Sequence, residues 1–389
     1  MNFKLKLKFN LKLSSTLSSK LEESNNKPMC ATMRGLAAIL ALSLISADLP
    51  AVSIFVAGTL NHTCYRVPNA VRAPSGALLV FVEARGPSCD DQAPKDVMLS
   101  RSLDNGATWS PPEVVLPGWY LDGKLTFRNP YPVFTAAGLL LLQVSNTTLA
   151  PWFSLQLTST DEGVSWSPPA PLAPSLGPFD GVLNGPGSGL LLTQAPHAGR
   201  LLTCGTTVYD SAFPRSRGGV VTVSDNAGAS WSITQVFTVS PGGAAAAECQ
   251  LAELRNGSVL GTFRNEQRPR TPCSCRLASR SDDGGLTWTP LAQQPQLVEP
   301  VCSAGLLQTA AGLFFSNPAS TSARVNITVR KSLDGGDTWP SALRVQTPQS
   351  AGYSTLVPVG NAADGNVGIV FEVSDSGQPG VSFAAVPQF

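Results

Sequence analysis

SLDGGDTW runs from Ser332 to Trp339. Near-copies recur at Ser102–Trp109 (SLDNGATW), Ser159–Trp166 (STDEGVSW), Ser224–Trp231 (SDNAGASW) and Ser281–Trp288 (SDDGGLTW). Successive tryptophans lie 57, 65, 57 and 51 residues apart. A repeat of that period marks an array of similar supersecondary units. Within the octapeptide, Asp or Asn followed two residues on by Gly is turn chemistry: a side-chain oxygen caps nearby backbone N–H groups and Gly accepts positive φ. The Trp is a large apolar plug suited to pinning a hairpin to its sheet. One copy per unit spreads the copies around a periphery, where they cannot converge on one substrate. The octapeptides are fastening, and the chemistry must be sought elsewhere.

Between these boxes the chain is punctuated by Gly and Pro and carries short apolar runs, such as GALLVFVEAR (Gly76 to Arg85), GLLLLQVS (Gly138 to Ser145) and GGVVTVS (Gly218 to Ser224). They predict strands bounded by turns, with no amphipathic helix after residue 50. Sheets of about four strands repeated radially make a β-propeller. The five boxed units and one unit without a box predict six blades, an all-β fold. The sixth unit combines GNVGIVFEVS (Gly365 to Ser374) and GVSFAAVPQ (Gly380 to Gln388) with an early strand around Ala51 to Gly58. Strands from both chain ends in one blade close the ring and leave no open edge.

The 389 residues carry a net charge of +1. Seven of the 27 basic residues and two of the 26 acidic ones precede residue 48, which leaves 20 and 24, a net charge of −4. Only Lys95, Lys124 and Lys331 are lysines in that body. A mildly acidic body without a basic stripe argues against a nucleic-acid partner. Residues 33–47 (MRGLAAILALSLISA) have the order of a secretory signal, an Arg, an apolar run and small residues, with a start at Met33 or Met29. The run is short for a membrane span. The expected division is an N-terminal extension and leader over 1–47 and one propeller over 48–389, in a secreted or endolysosomal protein. Sequons at Asn61, Asn146, Asn256 and Asn326 fit an exported chain. Beyond the leader, Cys64, Cys89, Cys204, Cys249, Cys273, Cys275 and Cys302 are odd in number, so at least one thiol stays unpaired in a monomer. Their spacing fits no zinc site, and no motif implies a metal or another cofactor.

The two histidines, His62 and His197, give a histidine-based mechanism little to work with. His62 sits inside a sequon and is expected at the surface. Arginines, carboxylates and tyrosines remain. CYRVPNAV (Cys64 to Val71), FVEARGPSCDDQ (Phe81 to Gln92), RNPYPVF (Arg128 to Phe134), AECQLAELRNGSVLGTFRN (Ala247 to Asn265), NPASTSARVNITVR (Asn317 to Arg330) and AGYSTL (Ala351 to Leu356) follow one another along nearly the whole mature chain. With the S-x-D-x-G-x-x-W boxes, these segments resemble the sialidase (neuraminidase) superfamily. The boxes alone also occur in other secreted propellers.

The resemblance implies an exo-α-sialidase acting on sialylated glycans with retention. Arg66, Arg264 and Arg324 would hold the sugar carboxylate, Tyr353 would be the nucleophile and Glu248 its base. Asp90, with Asp91 adjacent as the alternative, would be the acid/base. Arg85 would support that loop or contact ring substituents, and Asn129 would lie near the N-acyl group. The residue types suit the chemistry. Guanidiniums grip a carboxylate through bidentate, charge-assisted bonds. A neutral phenol escapes the repulsion that the same carboxylate would exert on an acidic nucleophile. Two departures stand out: Asn226 replaces the box Asp, and Thr206 and Val208 stand where many animal sialidases place aromatics. A trans-sialidase or an inactive sialoglycan-binding propeller are the alternatives, and a binding protein would need neither Tyr353 nor Glu248.

Overall fold

The computed structural model describes residues 43–47, 49–118, 125–148, 153–172, 179–209, 218–237, 246–266, 273–345, 352–374 and 377–389. Residues 1–42, most of the segment read as a leader, and Lys124 lie outside them. Among the described residues the strands form six sheets. Blade 1 holds Cys64–Arg72, Leu78–Arg85, Lys95–Ser102 and Glu113–Leu116. Blade 2 holds Phe127–Phe134, Leu140–Asn146, Phe153–Ser159 and Ala170–Pro171. In blade 3, Phe179–Asn184 and the short Leu190–Leu191 share the inner place, followed by Leu201–Tyr209, Gly219–Ser224 and Ser232–Phe237. Blade 4 runs Ala246–Glu253, Val259–Asn265, Cys275–Ser281 and Ala292–Val298.

Blade 5 runs Gly305–Thr309, Gly312–Pro318, Ile327–Ser332 and Ser341–Val345, and Ser43–Ala47 pairs in parallel with its last strand. Blade 6 joins Ser354–Pro358, Val367–Val373 and Gly380–Val386 to the early strand Ala51–Phe55. The ring therefore closes with strands from distant parts of the chain, as the boxless unit predicts. This is a six-bladed β-propeller. Second strands lie deepest: Leu78–Arg85 and Gly312–Pro318 are buried throughout. A strand covered on both faces reads as an unbroken apolar run rather than an alternation.

Each box starts on the last residue of a third strand. In the first, Ser102 Oγ donates to Asp104 Oδ1 (2.8 Å) and accepts from Gly106 N (2.8 Å), while Thr108 N and Oγ1 donate to the carboxylate at 2.8 and 2.5 Å. Asn226 keeps this pattern, accepting from Ser224 Oγ and Ser230 N, both at 2.9 Å. The boxes also reach across to the preceding blade. A Cβ on Gly106 would meet Phe383 of blade 6 at 2.1 Å, one on Gly228 would meet Leu141 of blade 2 at 2.2 Å, and one on Gly285 would meet Leu202 of blade 3 at 2.4 Å. Gln156 and Arg280 donate to the box carbonyls of Gly228 and Gly335 in the next blade, at 3.0 and 2.8 Å. The fastening thus joins neighbours as well as holding its own hairpin.

Candidate functional site

Three inner strands are interrupted by β-bulges at the residues of interest: between Arg66 and Asn69, between Arg128 and Tyr131, and between Ala246 and Cys249. A bulge bends its strand and re-aims side chains. Val67 and Asn129 accordingly sit at φ +56° and +50°, an uncommon region and a strained one for β-branched Val. Glu372 of blade 6 accepts from Val67 N at 2.9 Å and so holds that backbone in place. The bulged strands, with loops from blades 1, 5 and 6, enclose a polar cavity of about 180 Å³.

Tyr353 stands at one wall. Its hydroxyl donates to Glu248 Oε1 at 2.5 Å and accepts from Arg264 Nη1 at 3.0 Å, and the same Nη1 lies 2.9 Å from Glu248 Oε2. The guanidinium carbons of Arg66 and Arg324 lie 5.6 and 5.3 Å from the Tyr353 ring centroid. Three cations from blades 1, 4 and 5 therefore surround one phenol. Glu372 orients two of these groups at once, accepting from Arg66 Nε and Nη2 (both 3.1 Å) and from Tyr353 N (3.0 Å). Burial, and then Glu248, push the Tyr353 hydroxyl well above its ordinary pKa, so it keeps its proton at neutral pH. Glu372 raises that of Arg66; burial opposes the charge of Arg264, and Glu248, Tyr353 and Glu266 together more than restore it.

The loop after Leu78–Arg85 carries the two candidate acids. Asp91 lines the cavity; its Oδ1 accepts from Arg85 Nη1 at 2.7 Å. Asp90 does not line it and instead accepts from Ser88 Oγ at 3.0 Å. Of the two adjacent acids in the expectation, Asp91 is thus the one that faces the cavity. Ser88 ties the Asp90 side chain back onto its own loop. Burial would raise the Asp91 carboxyl, but Arg85 holds it below the usual range. Arg85 also donates to Cys89 O (2.9 Å) and to Glu83 (2.6 and 3.0 Å), so it supports the loop, one of its two expected roles. Asn129 lines the cavity, with its backbone N donating to Glu83 Oε1 at 2.9 Å.

The cavity thus gathers Arg66, Arg85, Asn129, Glu248, Arg264, Arg324 and Tyr353 from the sequence expectations, together with Thr206. Reasoning from sequence missed Glu83, Glu266, Arg128 and the hub Glu372. The signal for Glu83 and Glu372 was a lone carboxylate inside an apolar strand, LLVFVEAR and VGIVFEV, where an unpaired charge would be costly. His62 is corrected: it is buried, 1% exposed, and lies 2.9 Å from Asp96. Disulfides join Cys64–Cys89, Cys204–Cys249 and Cys273–Cys275. Among the described residues Cys302 is the unpaired thiol, buried with Val67 and Tyr353. Among the described residues no cluster of His, Cys, Asp or Glu suits a metal ion, and no helix is long and apolar enough to cross a membrane.

Residues 77–369 match the BNR repeat-like domain family. A sialidase of Micromonospora viridifaciens is 29% identical over 337 residues, which cover 79% of this chain and 50% of that protein. A sialidase of Bacteroides fragilis is 27% identical over 362 residues, covering 83% and 62%. The chain therefore spans about half of the first relative and under two thirds of the second. Among solved structures, a Hadza microbial sialidase superposes with a TM-score of 0.72 at 25% identity, over 86% of this chain and 68% of that one. A leech intramolecular trans-sialidase shares the fold, with a TM-score of 0.72 at 18% identity over 87% and 70%. By the span of the matched family and the propeller it shares with these proteins, the chain belongs to the BNR repeat-like domain family, within the sialidase superfamily.

Proposed function

We propose that the chain is an exo-α-sialidase, a retaining glycoside hydrolase that releases terminal sialic acids from glycans. The observation that carries this reading is the phenol of Tyr353, 2.5 Å from Glu248 and ringed by Arg66, Arg264 and Arg324. The guanidiniums take the sugar carboxylate, which places the anomeric carbon over the tyrosine oxygen. As that oxygen attacks, its proton passes to Glu248. Asp91 gives a proton to the leaving oxygen, and the aglycone departs. Asp91 then takes a proton from water, the water oxygen bonds to the anomeric carbon, and the tyrosine oxygen leaves and recovers its proton from Glu248. Two displacements at one carbon give retention. No step calls for a cofactor.

The test is release of free sialic acid from a mixed glycoprotein by the full chain, with proton NMR of the first-formed anomer. Release of the α-anomer supports the reading; release of the β-anomer overturns retention, and no release overturns the activity. Product analysis with an added sugar acceptor separates hydrolysis from transfer. We further infer an oxidising compartment, secreted or endolysosomal. Three disulfides and the exposed sequon residues Asn61, Asn256 and Asn326 support it. Loss of mass on treatment of the native protein with an N-glycosidase checks it.

A further inference from the structure

Under the loop that carries Asp91 lies a lysine with no contact to solvent. Lys95 is 0% exposed and Glu83, beside it, 1%. Burying such a pair costs several kcal/mol per ion before its attraction is counted, so it is weak evidence for stability. What the pair holds is more telling. Lys95 Nζ donates to the backbone carbonyl of Asp91 at 2.8 Å and lies 3.4 Å from Glu83 Oε2. That same Glu83 oxygen accepts from Arg85 Nε and Nη2, and Arg85 Nη1 reaches on to the Asp91 carboxylate and Cys89 O. Arg128 also donates to the Asp91 carbonyl, and its neighbour Asn129 is tied by its backbone N to Glu83 Oε1.

The Asp91 side chain is itself 68% exposed. Packing cannot aim it; only these polar ties can. Lys95 on its carbonyl and Arg85 on its carboxylate are both held by Glu83. We propose that Lys95 and Glu83 form a pair of positioning residues that hold the Asp91 loop in its acid-donating placement, Lys95 doing so from outside the cavity lining. The proposal rests on the reading of Asp91 as the acid/base.

The pair also sets a pH limit. The charged groups facing Lys95 are Glu83, Arg85, Arg128 and Asp91; burial pushes its ammonium down to about 8 in spite of Glu83. Glu83, which burial would raise, is held at about 2 by Lys95 and Arg85, so it stays charged. Near pH 8 the tie therefore loses its positive end while its negative end remains.

Lys95→Met in the full chain tests this with two sialosides, one with an alkyl aglycone that must be protonated to leave and one with a 4-nitrophenyl aglycone that need not be. The expected loss in kcat is about 10²-fold on the alkyl sialoside, the scale of general-acid catalysis, and only a few-fold on the aryl one. Lys95→Arg should restore part of it. Equal losses on both substrates, or none, overturn the positioning role. Hydrogen exchange of the loop amides 86–94 gives a readout independent of turnover. Faster exchange in Lys95→Met is expected, and wild-type exchange overturns the proposal even if the sialidase reading itself fails. Should Lys95→Met not fold, the wild-type profile from pH 7 to 9.5 decides. Alkyl-sialoside turnover, which already falls with rising pH as Asp91 loses its proton, should fall more steeply above about pH 8 while aryl turnover persists; an alkyl slope unchanged through pH 8 counts against it.

Discussion

The proton between Tyr353 and Glu248 lies on a 2.5 Å axis, with an arginine donating to the same phenol oxygen at 3.0 Å. Tyr353→Phe keeps the ring and the three guanidiniums and removes only the hydroxyl that the proposed mechanism uses as nucleophile. It should abolish turnover while leaving affinity for an unsaturated sialic acid analogue close to wild type; full activity would end the mechanism. Asp91→Asn should slow an alkyl sialoside by about 10²–10⁴-fold, whereas Asp90→Asn should not change it. Arg85 keeps Asp91 below its ordinary pKa, so the protonated form that the proposed mechanism needs for the leaving group is favoured by acid. For the alkyl sialoside, kcat/KM should fall as pH rises through the acid range and stay flat for the aryl one. At this scale the unique arginines, Tyr353 and Glu248 were legible because each stands in a distinctive short segment. Glu372 was not, and Asp91 was legible only as the alternative to Asp90. Choosing between adjacent acids depends on where Ser88 turns the loop, and Glu372 acts on Arg66 from 306 residues away, a pairing that no local pattern encodes.

The box hairpins carry the next scale. Their carboxylates are tied by hydrogen bonds from Thr or Ser; those from Thr108 and Ser165 hold Asp104 and Asp161 at about 2. Since the ordinary value is about 4, their contribution is present above that pH and lost as pH falls toward 2. The melting temperature should hold steady down to about pH 4 and then drop. Asn226 shows that an amide makes the same bonds, so Asp104→Asn should lessen the acid drop in thermal denaturation. Gly106 is at φ +90° with Phe383 2.1 Å from a would-be Cβ. Gly106→Ala should therefore destabilise the fold by about 1–3 kcal/mol in denaturant titration, with the assembled site unaffected. The hairpins were readable from eight residues, but their grip on the preceding blade was not. Phe383, Leu141 and Leu202 lie in runs that look like any other strand.

For the molecule as a whole, period and punctuation were enough to predict six blades and a ring closed by Ala51–Phe55. Repeats announce themselves because every unit solves the same burial problem. What they leave hidden is the seams. Each box leans on the blade before it, and blade 6 has none, so the joint between blades 5 and 6 is closed by apolar packing around Phe314, Val329 and Phe371, a Ser316–Ser354 contact at 2.9 Å and Thr309 Oγ1 to Gly365 O at 3.2 Å. A necklace with one plain link parts there first. Arg324 is strung on one side of that link and Tyr353 on the other, so warming or mild urea should silence the proposed activity before the remaining blades come undone.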